Sequence, residues 1–341
     1  MLRPVKRVVK KSVAKILGDV MASNNSIEQK INSLHQTLWD VNKDIIQKQE
    51  ELNYRSSEEF KNSGILHISS EEIIAKIFSG LKIYLDPRDI SVTPHLALDA
   101  IWEYQITKAW LNMVTPDAVV LDIGANFGYF GALAAQKTSK KTSKIVFFEP
   151  NPKLLGYIKK TLAVNWLNEQ SVIENLAVGA TNSKARLNVL KDYIGSSSLL
   201  DLETIDSYMH EKMYLETTEV VEVDVVTIDS YCKRNNIPQV NLIKMDIEGF
   251  EDRAYAGMRK VVQSSPDVTM FIEFTEGSYK DPKGFYHDML EDFGYVYVIN
   301  QDGSLLKPKD QSYDTVIGKP EDWVMPVFSK NKNLDKKTEQ L

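Results

Sequence analysis

Residues 119–129 combine an acidic side chain with two glycines at the point where a predicted strand turns into a predicted helix. Asp122 precedes the turn, Gly124 and Gly128 flank it, and Asn126 lies between the two glycines. A dinucleotide fingerprint needs a glycine at that middle position, because it makes room for pyrophosphate. A carboxylate also repels phosphate but attracts an ammonium group. The pattern therefore favours S-adenosylmethionine, which carries an ammonium and a sulfonium but no phosphate; a plain strand-to-helix turn is the alternative.

Each residue of this turn has an expected role. We expect Asp122 and Gly124 to hold the methionine end of the cofactor, with Gly124 allowing a close approach of the backbone. Asn126 either caps the following helix or reaches the cofactor carboxylate. Gly128 is expected to permit tight packing of that helix on the strand.

The next two predicted strands complete the cofactor hypothesis. The second strand ends at Glu149, and an acidic residue at this position can accept hydrogen bonds from both ribose hydroxyls. A third strand over 172–175 leads to Ala177, where backbone and apolar groups would flank adenine.

Three ionisable residues follow one another at alternate positions near the end of a later predicted strand. Lys244, Asp246 and Glu248 share one face if the strand stays extended. Charged groups at the end of a central strand are costly unless they are paired or functional. The spacing predicts either a catalytic group or a structural ion-pair cluster.

The elements that must position these residues alternate between strands and helices from about residue 119 onward. Such alternation predicts an α/β fold with a doubly wound, mostly parallel sheet. Single helices are expected over 96–113 and 251–262. The expected organisation is an N-terminal helical segment 1–60, a helical and strand prelude 61–118, a main domain 119–329 and a flexible tail 330–341.

The motifs, taken in order, resemble the FkbM family of S-adenosylmethionine-dependent methyltransferases over roughly residues 80–300. The segments that carry the resemblance are VVLDIGANFGYF at 119–130, FFEPNP at 147–152, NLAVG at 175–179, VVTIDSY at 225–231 and LIKMDIEGFE at 242–251. Shorter matches are the Trp102-Glu103 pair, the serines near Ser197, Phe271-Ile272-Glu273 and Phe293-Gly294-Tyr295. The resemblance implies a class I methyltransferase, Rossmann-like fold and O-methylation, with hydroxyl groups of sugars, glycans or secondary metabolites as typical acceptors.

Methyl transfer to a hydroxyl benefits from a general base, because the hydroxyl is a poor nucleophile while it keeps its proton. Asp246 is the first candidate and Glu248 the second, with Lys244 pairing with either to hold it ionised and oriented. Glu273 is expected to face the same cleft. Asp246, Glu248 and Glu273 could alternatively bind a divalent cation, for which oxygen ligands would favour Mg²⁺; no metal site is the favoured expectation.

Residues that could contact the acceptor lie outside the strand ends. Trp102 and Ser197 are candidates for sugar contacts. His210 lies in a polar insert over 199–217 that we interpret as a candidate acceptor lid.

The N-terminal segment has its own pattern, which the resemblance does not cover. A heptad stripe predicts a coiled coil and a homo-oligomer through residues 26–53, and one long helix packed on its own domain is the alternative. The apolar positions are Ile27, Ile31, Leu34, Leu38, Val41, Ile45 and Leu52. Upstream, residues 1–17 form a basic amphipathic segment that could lie on an anionic membrane surface or remain solvated.

Composition narrows the remaining functional classes. The net charge of -6 argues against nucleic-acid binding driven by charge over the whole chain. Cys232 is the single cysteine, which excludes an intrachain disulfide and fits a cytoplasmic protein; a peripheral location at the inner face of a membrane is the alternative. Two other classes stay open: a dinucleotide oxidoreductase, and a coiled-coil scaffold or regulatory subunit with a vestigial methyltransferase domain.

Overall fold

A computed structural model describes residues 64–190, 197, 199, 217–318 and 323–337. The predicted basic segment 1–17, the predicted coiled coil over 26–53 and His210 lie outside the described residues. None of the helices in the described part of the chain has the length and apolar character that crossing a membrane requires.

The described chain opens with a small antiparallel sheet and two helices, which precede the main domain. The sheet has the order β1-β2-β3. Its strands are β1 (Gly64–Ser69), β2 (Glu72–Lys76) and β3 (Lys82–Leu85), and the helices are α1 (Thr93–Leu98) and α2 (Tyr104–Met113). Ile83 and Trp110 are fully buried in the same apolar cluster as Val120 of the main sheet. The prelude therefore packs on one face of that sheet.

The main sheet has eight strands in the order β13-β12-β14-β11-β10-β4-β5-β6. The strands are β4 (Val119–Ile123), β5 (Lys144–Phe148), β6 (Ser171–Glu174), β10 (Leu242–Met245), β11 (Thr269–Ile272), β12 (Tyr295–Ile299), β13 (Leu305–Leu306) and β14 (Val327–Ser329). From β11 to β6 all neighbours are parallel, and β14 runs antiparallel to both β11 and β12. The predicted doubly wound, mostly parallel sheet is confirmed.

The sequences of the central strands explain why these strands are buried on both faces of the sheet. In β4, Val120 belongs to the apolar cluster on one face and Leu121 to the cluster on the other. Continuous runs of apolar residues are typical of parallel strands that helices cover on both faces. The covering helices are α3 (Tyr129–Lys137), α4 (Pro152–Val164), α5 (Ile228–Arg234), α6 (Glu251–Ala256), α7 (Arg259–Ser264), α8 (Pro282–Phe293), α9 (Tyr313–Val316) and α10 (Leu334–Lys337).

A third sheet has the order β7-β9-β8 and follows the end of β6. Its strands are β7 (Ala177–Val178), β8 (Ser183–Leu190) and β9 (Thr217–Val226). β8 and β9 are antiparallel, whereas β7 runs parallel to β9. This sheet places Ala177 beside the carboxyl ends of the main strands.

Two predicted helices are each divided in the structure. The helix expected over 96–113 is split into α1 and α2, because Ala100 and Glu103 have φ angles of 58° and 44° and cannot continue a right-handed helix. The helix expected over 251–262 is split into α6 and α7 at Gly257. A Cβ there would lie 2.1 Å from the carbonyl oxygen of Gly179, so close backbone contact requires glycine at this break.

The segment after β14 differs from the loose tail that the sequence suggested. Leu334, the first residue of α10, is 3% exposed, and its N–H donates to the Tyr297 hydroxyl at 3.4 Å. The described part of the tail is therefore packed against β12.

Candidate active site

A cleft lies where the turns after β4, β5 and β10 meet. Gly124, Glu149, Ala177 and Asp246 all line it, together with neighbouring apolar groups. In open α/β sheets the carboxyl ends of strands at the point where strand order reverses form the ligand-binding crevice. Here that point lies between β4 and β10, so the cleft occupies the place where the fold binds ligands.

Gly124 is required by its backbone and by a neighbouring loop. Its φ is 77°, and a Cβ would lie 1.9 Å from the carbonyl oxygen of Asp246. Its N–H donates to the Phe148 carbonyl at 3.0 Å. The close approach predicted for Gly124 therefore exists, but the approaching group within the chain is the loop after β10.

Gly128 plays a different role from the one expected, and one of the two roles expected for Asn126, the helix cap, is absent. Gly128 is the N-cap residue of α3 with φ 81°, and a Cβ there would meet Ile158 of α4 at 3.2 Å. The tight helix-on-strand contact belongs to Gly131, where a Cβ would lie 2.2 Å from the Phe147 ring. Asn126 does not cap α3. Its side-chain Oδ1 is buried and has no hydrogen-bond partner among the described residues, so it can accept a hydrogen bond from a ligand.

Glu149 is held in place by backbone donors on both sides. Its Oε2 accepts the Asn126 N–H at 2.8 Å and its Oε1 accepts the Asn151 N–H at 2.8 Å. Only 4% of the residue is exposed, although it lines the cleft. Burial raises the pKa of Glu149 to about 8, and the two N–H donors oppose that rise. Each oxygen retains a lone pair that a ligand hydroxyl can use.

Asp122 lies deeper than predicted. It is 1% exposed, and its Oδ2 accepts the Gly131 N–H in the first turn of α3 at 2.8 Å. Burial raises its pKa to about 6, whereas the neighbouring Lys244 and this hydrogen bond lower it. The described lining of the cleft includes Gly124 but not Asp122. Asp122 therefore fixes the first turn of α3 and does not itself line the cleft.

Two further predicted residues line the cleft on the side of the third sheet. Ala177 is 3% exposed and presents apolar surface to the cleft. Ser197 also lines it, and its Oγ lies 3.4 Å from the side-chain Nδ2 of Asn151. Ser197 was predicted as an acceptor contact, but the structure places it next to the residue that anchors Glu149.

Lys244 and Asp246 form a buried ion pair at the end of β10. The Lys244 Nζ lies 2.8 Å from the Asp246 Oδ2, and the two side chains are 2% and 29% exposed. Nζ also lies 4.8 Å from the centroid of the Phe130 ring. Burial lowers the pKa of Lys244, but Asp246 and Glu103 outweigh it, so the net shift is upward. Lys244 is therefore an ammonium that orients Asp246.

Glu248 does not share the strand face of Lys244 and Asp246, because β10 ends at Met245. Glu248 has φ 56° and lies in a loop that lines the cleft. The loop is held by Glu251, whose Oε1 accepts the N–H groups of Ile247 at 2.9 Å and Gly249 at 3.3 Å. In the sequence, Glu251 stands out only as the last residue of the LIKMDIEGFE motif.

Tyr279 completes the support of this loop. Its hydroxyl donates to Glu251 Oε2 at 2.8 Å and lies 3.2 Å from the Glu273 carbonyl oxygen. Burial and the charge of Glu251 raise the pKa of Tyr279, so the hydroxyl keeps the proton that it donates. Tyr279 was not predicted from the sequence, because it is far from Glu251 along the chain and no local sequence pattern links the two residues.

Glu273 and Glu103 bring two more carboxyl groups towards Asp246. Burial raises the pKa of Glu273 well above its usual range, and the charges of Asp246, Glu248 and Glu251 raise it further. Glu103 interacts electrostatically with Lys244 and Asp246. Among the described residues no group of three or more His, Cys, Asp or Glu side chains is arranged to hold a metal ion. The divalent-cation alternative for Asp246, Glu248 and Glu273 gains no support from this arrangement.

Trp102 lies behind this group, at the turn between α1 and α2. Its ring centroid is 4.8 Å from that of His95, and its backbone N–H donates to the Tyr129 hydroxyl at 3.3 Å. These contacts give Trp102 a structural role in the turn that carries Glu103.

Comparison with known protein families identifies the domain. The model of the methyltransferase FkbM domain matches residues 122–297, which is more than half of the chain. The chain belongs to the FkbM methyltransferase family. The matched range begins at Asp122 and includes both Glu149 and the Lys244–Asp246 pair, and the strand order fits the class I methyltransferase fold.

Two curated proteins are similar in sequence to this FkbM methyltransferase. The AMB antimetabolite synthetase AmbE of Pseudomonas aeruginosa is 22% identical over 231 residues, which are 57% of this chain and 10% of AmbE. Methyltransferase 1 of Beauveria bassiana is 23% identical over 149 residues, which are 42% of this chain and 59% of that protein. The matches thus span less than two thirds of either relative.

Solved methyltransferase structures are similar at lower levels. The FkbM methyltransferase from Methylobacillus flagellatus KT has 14% identity and a TM-score of 0.38, covering 63% of this chain and 44% of that one. TYW2 of M. jannaschii in complex with AdoMet has 14% identity and a TM-score of 0.38, covering 77% and 87%. With TM-scores below 0.5, neither similarity bears on the site.

Proposed function

We propose that this FkbM methyltransferase uses S-adenosylmethionine and transfers its methyl group to a hydroxyl of a sugar, a glycan or a secondary metabolite. The observation that carries the proposal is the cleft lined by Glu149 and by Asp246, the partner of Lys244, at the carboxyl ends of the two parallel strands that flank β4. Glu149 is placed to bind the cofactor, and the Asp246–Lys244 pair is placed to act on the acceptor.

The residues of the cleft fit the cofactor. Glu149 can accept hydrogen bonds from the ribose hydroxyls without giving up its two backbone donors. Ala177 offers apolar surface to the adenine, and the buried Oδ1 of Asn126 is free to accept from the ammonium group. The negative charges of Asp122 and Asp246 favour a cationic ligand over a pyrophosphate.

The residues on the acceptor side supply orientation and proton acceptance. When bound, S-adenosylmethionine supplies a methyl group on a cationic sulfur: the acceptor oxygen bonds to the methyl carbon while the carbon–sulfur bond breaks and its electron pair stays on sulfur. Asp246, which is 29% exposed and held by Lys244, takes the proton from the acceptor oxygen. Alignment of the acceptor with the methyl group supplies much of the rate.

The acceptor class draws on two features. Asp246 and Glu248 both line the open cleft, where carboxylates can bind the neighbouring hydroxyls of a polyol. One matching relative is named as an antimetabolite synthetase, which favours a secondary metabolite within this class.

The assembly proposal rests on sequence. Residues 26–53 join copies of the chain through the heptad stripe, and residues 1–17 bind the surface of anionic membranes. Light scattering on the full chain and on the double variant Leu34→Lys, Leu38→Lys tests the first part, and an unchanged assembly state contradicts it. Flotation with anionic and neutral vesicles tests the second part, and absence of binding to anionic vesicles contradicts it.

The experiment that tests the function is incubation of the full chain with methyl-labelled S-adenosylmethionine and fractionated glycans, lipids and small metabolites. Label is expected in a hydroxyl-bearing fraction with wild type and not with Asp246→Asn. Binding of S-adenosylhomocysteine by both proteins shows that the variant has kept the cofactor site. Label that enters amines or carboxyl groups instead, or equal labelling by the variant, contradicts the proposal.

A further inference from the structure

The loop after β10 contains two consecutive residues in left-handed conformations. Glu248 has φ 56° and Gly249 has φ 92°. Glycine adopts such a conformation readily, whereas the side chain of any other residue crowds the backbone there and strains it. Strain of this kind persists only where the surrounding structure enforces it. Because Glu248 lines the cleft, the strained residue lies at the candidate active site.

Glu251 holds the chain on both sides of Glu248. Its Oε1 accepts the N–H groups of Ile247 at 2.9 Å and Gly249 at 3.3 Å, which are the residues before and after Glu248. Glu251 is the first residue of α6 and is 0% exposed, so these hydrogen bonds form away from water. One carboxylate oxygen therefore draws the two flanking N–H groups together, and the backbone between them turns through the left-handed region.

Tyr279 fixes the other oxygen of Glu251. Its hydroxyl donates to Oε2 at 2.8 Å, and its ring packs against Phe274 and Phe285, with ring centroids 4.9 Å and 5.1 Å away. The Glu251 carboxylate is thus held at both oxygens and cannot turn away from the loop. Neither Glu251 nor Tyr279 is among the described residues that line the cleft. Both therefore act on the cleft through the loop that contains Glu248.

We propose that Glu251 and Tyr279 are positioning residues of the methyltransferase: they hold Glu248 in its left-handed conformation at the cleft, where its carboxylate binds a second hydroxyl of the acceptor. Asp246 directly follows β10 and takes the proton of the first hydroxyl, so Glu248 contributes to acceptor affinity and not to the chemical step. The role of Glu248 towards the acceptor rests on the proposed function. The enforcement of its conformation by Glu251 and Tyr279 does not.

The stabilities of Glu248→Gly and Glu248→Ala together measure this enforcement. Both substitutions remove the carboxylate, so the loss of its charge cancels in the comparison. Where the backbone is free to adopt an ordinary conformation, alanine is the more stabilising residue, because glycine leaves more freedom to the unfolded chain. In an enforced left-handed conformation the order reverses, since alanine has a Cβ that is strained there and glycine has none.

Urea denaturation of the full chain tests the enforcement. Glu248→Gly is expected to have a higher urea midpoint than Glu248→Ala when Glu251 and Tyr279 are intact. In the background of Glu251→Ala the loop can relax, so the advantage of Glu248→Gly should vanish or reverse. In the background of Tyr279→Phe, which removes one hydroxyl and keeps the ring, the advantage should shrink. This milder background also carries the test if Glu251→Ala does not fold.

Trp166 provides a matched control on another element. It has φ 55°, is 75% exposed and follows α4, whose core residues lie on the opposite face of the main sheet from those of α6. The advantage of Trp166→Gly over Trp166→Ala is therefore expected to be equal in all three backgrounds. At position 248, an advantage that is unchanged in Glu251→Ala overturns the role of Glu251, and one that is unchanged in Tyr279→Phe overturns the role of Tyr279. No advantage in the otherwise wild-type chain overturns both roles.

The role towards the acceptor is tested by methyl transfer to the acceptor purified from the fraction that wild type labels. Tyr279→Phe is expected to raise the KM for the acceptor by about 10-fold, the size of change that a hydrogen bond to a charged group provides, with turnover at saturating acceptor within a few-fold and unchanged affinity for S-adenosylhomocysteine. The control Tyr255→Phe, which removes a hydroxyl that donates to Asp292 at 2.7 Å, should leave the KM unchanged. An unchanged KM in Tyr279→Phe, or a fall in turnover without a rise in KM, overturns the role towards the acceptor. If wild type transfers no label while denaturation gives the expected order, the proposed function fails and the enforcement stands.

Discussion

The carboxyl groups on the two sides of the cleft are stabilised in different ways. On the cofactor side, Asp122 and Glu149 accept backbone N–H groups at 2.8 Å. On the proposed acceptor side, Asp246 is paired with a side chain, the ammonium of Lys244, at 2.8 Å. Backbone donors are fixed by the course of the chain, whereas a side-chain ammonium responds to the charge of its partner.

Under the proposed function, this difference fits separate tasks for the two sides. On the proposed cofactor side, the turns after β4 and β5 fix the positions of the carboxyl groups. A ligand would therefore meet a preorganised site. On the proposed acceptor side, the net charge of the Asp246–Lys244 pair changes when Asp246 takes up a proton, as a general base must do. Variants on the two sides should therefore affect different measurements.

Loss of the acceptor-side carboxylate should have the largest effect. Asp246→Asn keeps the size of the side chain but removes the proton acceptor next to Lys244. Turnover is expected to fall by roughly 10²–10⁴, the usual contribution of a positioned general base. Initial rates of label transfer at saturating cofactor measure it, and near-wild-type turnover would place the catalytic centre elsewhere.

The second-largest effect is expected from disruption of the contact between Gly124 and the loop after β10. Gly124→Ala forces a side chain into a left-handed residue and against the Asp246 carbonyl oxygen, 1.9 Å away. Strain and overpacking together should lower the free energy of unfolding by about 2–4 kcal/mol. Urea denaturation measures it. The control is Gly156→Ala in α4, where a Cβ would meet no described atom within 4 Å, and there a gain of roughly 0.5–1 kcal/mol is expected. Equal effects of the two substitutions would contradict the described loop contact.

Substitutions of the two carboxyl groups on the proposed cofactor side should affect different properties. We expect replacement of Asp122 to affect mainly stability and replacement of Glu149 to affect mainly ligand binding. Asp122→Ala leaves the buried Gly131 N–H without its acceptor and should lower the free energy of unfolding by about 1–3 kcal/mol. Its effect on affinity for S-adenosylhomocysteine should be smaller than that of Glu149→Ala, because only Glu149 lines the cleft. Denaturation and calorimetry on both variants measure this, and a larger affinity loss for Asp122→Ala would show direct contact with the ligand.

The last expected effect is a pH dependence of stability. Burial raises the pKa of Asp122 to about 6, of Glu103 to about 7 and of Glu149 to about 8, while in the unfolded chain these groups ionise near their ordinary values. Between about pH 5 and pH 8 the folded state therefore binds more protons than the unfolded state, and stability falls as pH rises. Urea denaturation from pH 5 to pH 8 should show this decline, and Glu149→Gln should flatten its upper part. Stability that rises over this range would contradict the described burial.

The residues held by local backbone could be predicted from sequence, and those held across the fold could not. The turn at Gly124 and the placement of Glu149 follow from strand–turn–helix patterns in neighbouring residues. The sheet was likewise predictable, because its central strands are apolar runs bounded by turn residues. The contact that requires glycine at Gly124, however, comes from Asp246, more than a hundred residues later.

The same limit explains the missed residues. In the sequence, Glu103 stands out only as part of a motif with Trp102. The break between α1 and α2 depends on positive φ angles, which a helical pattern of residues does not reveal. Tyr279 supports the loop after β10 from a separate element, through one hydroxyl. Gly131 was overlooked because its importance arises from the Phe147 ring on the next strand.

Calorimetric titration of the full chain with S-adenosylhomocysteine tests the division of tasks most directly, when wild type, Glu149→Ala and Asp246→Asn are compared. Wild type should bind one ligand per chain. Glu149→Ala should lose about 1–3 kcal/mol of binding free energy, the size expected when a buried site loses its hydrogen bonds to the ligand, and Asp246→Asn should stay within a few-fold of wild type. No binding by wild type, or an equal loss in both variants, would contradict the assignment of the cofactor to the Glu149 side.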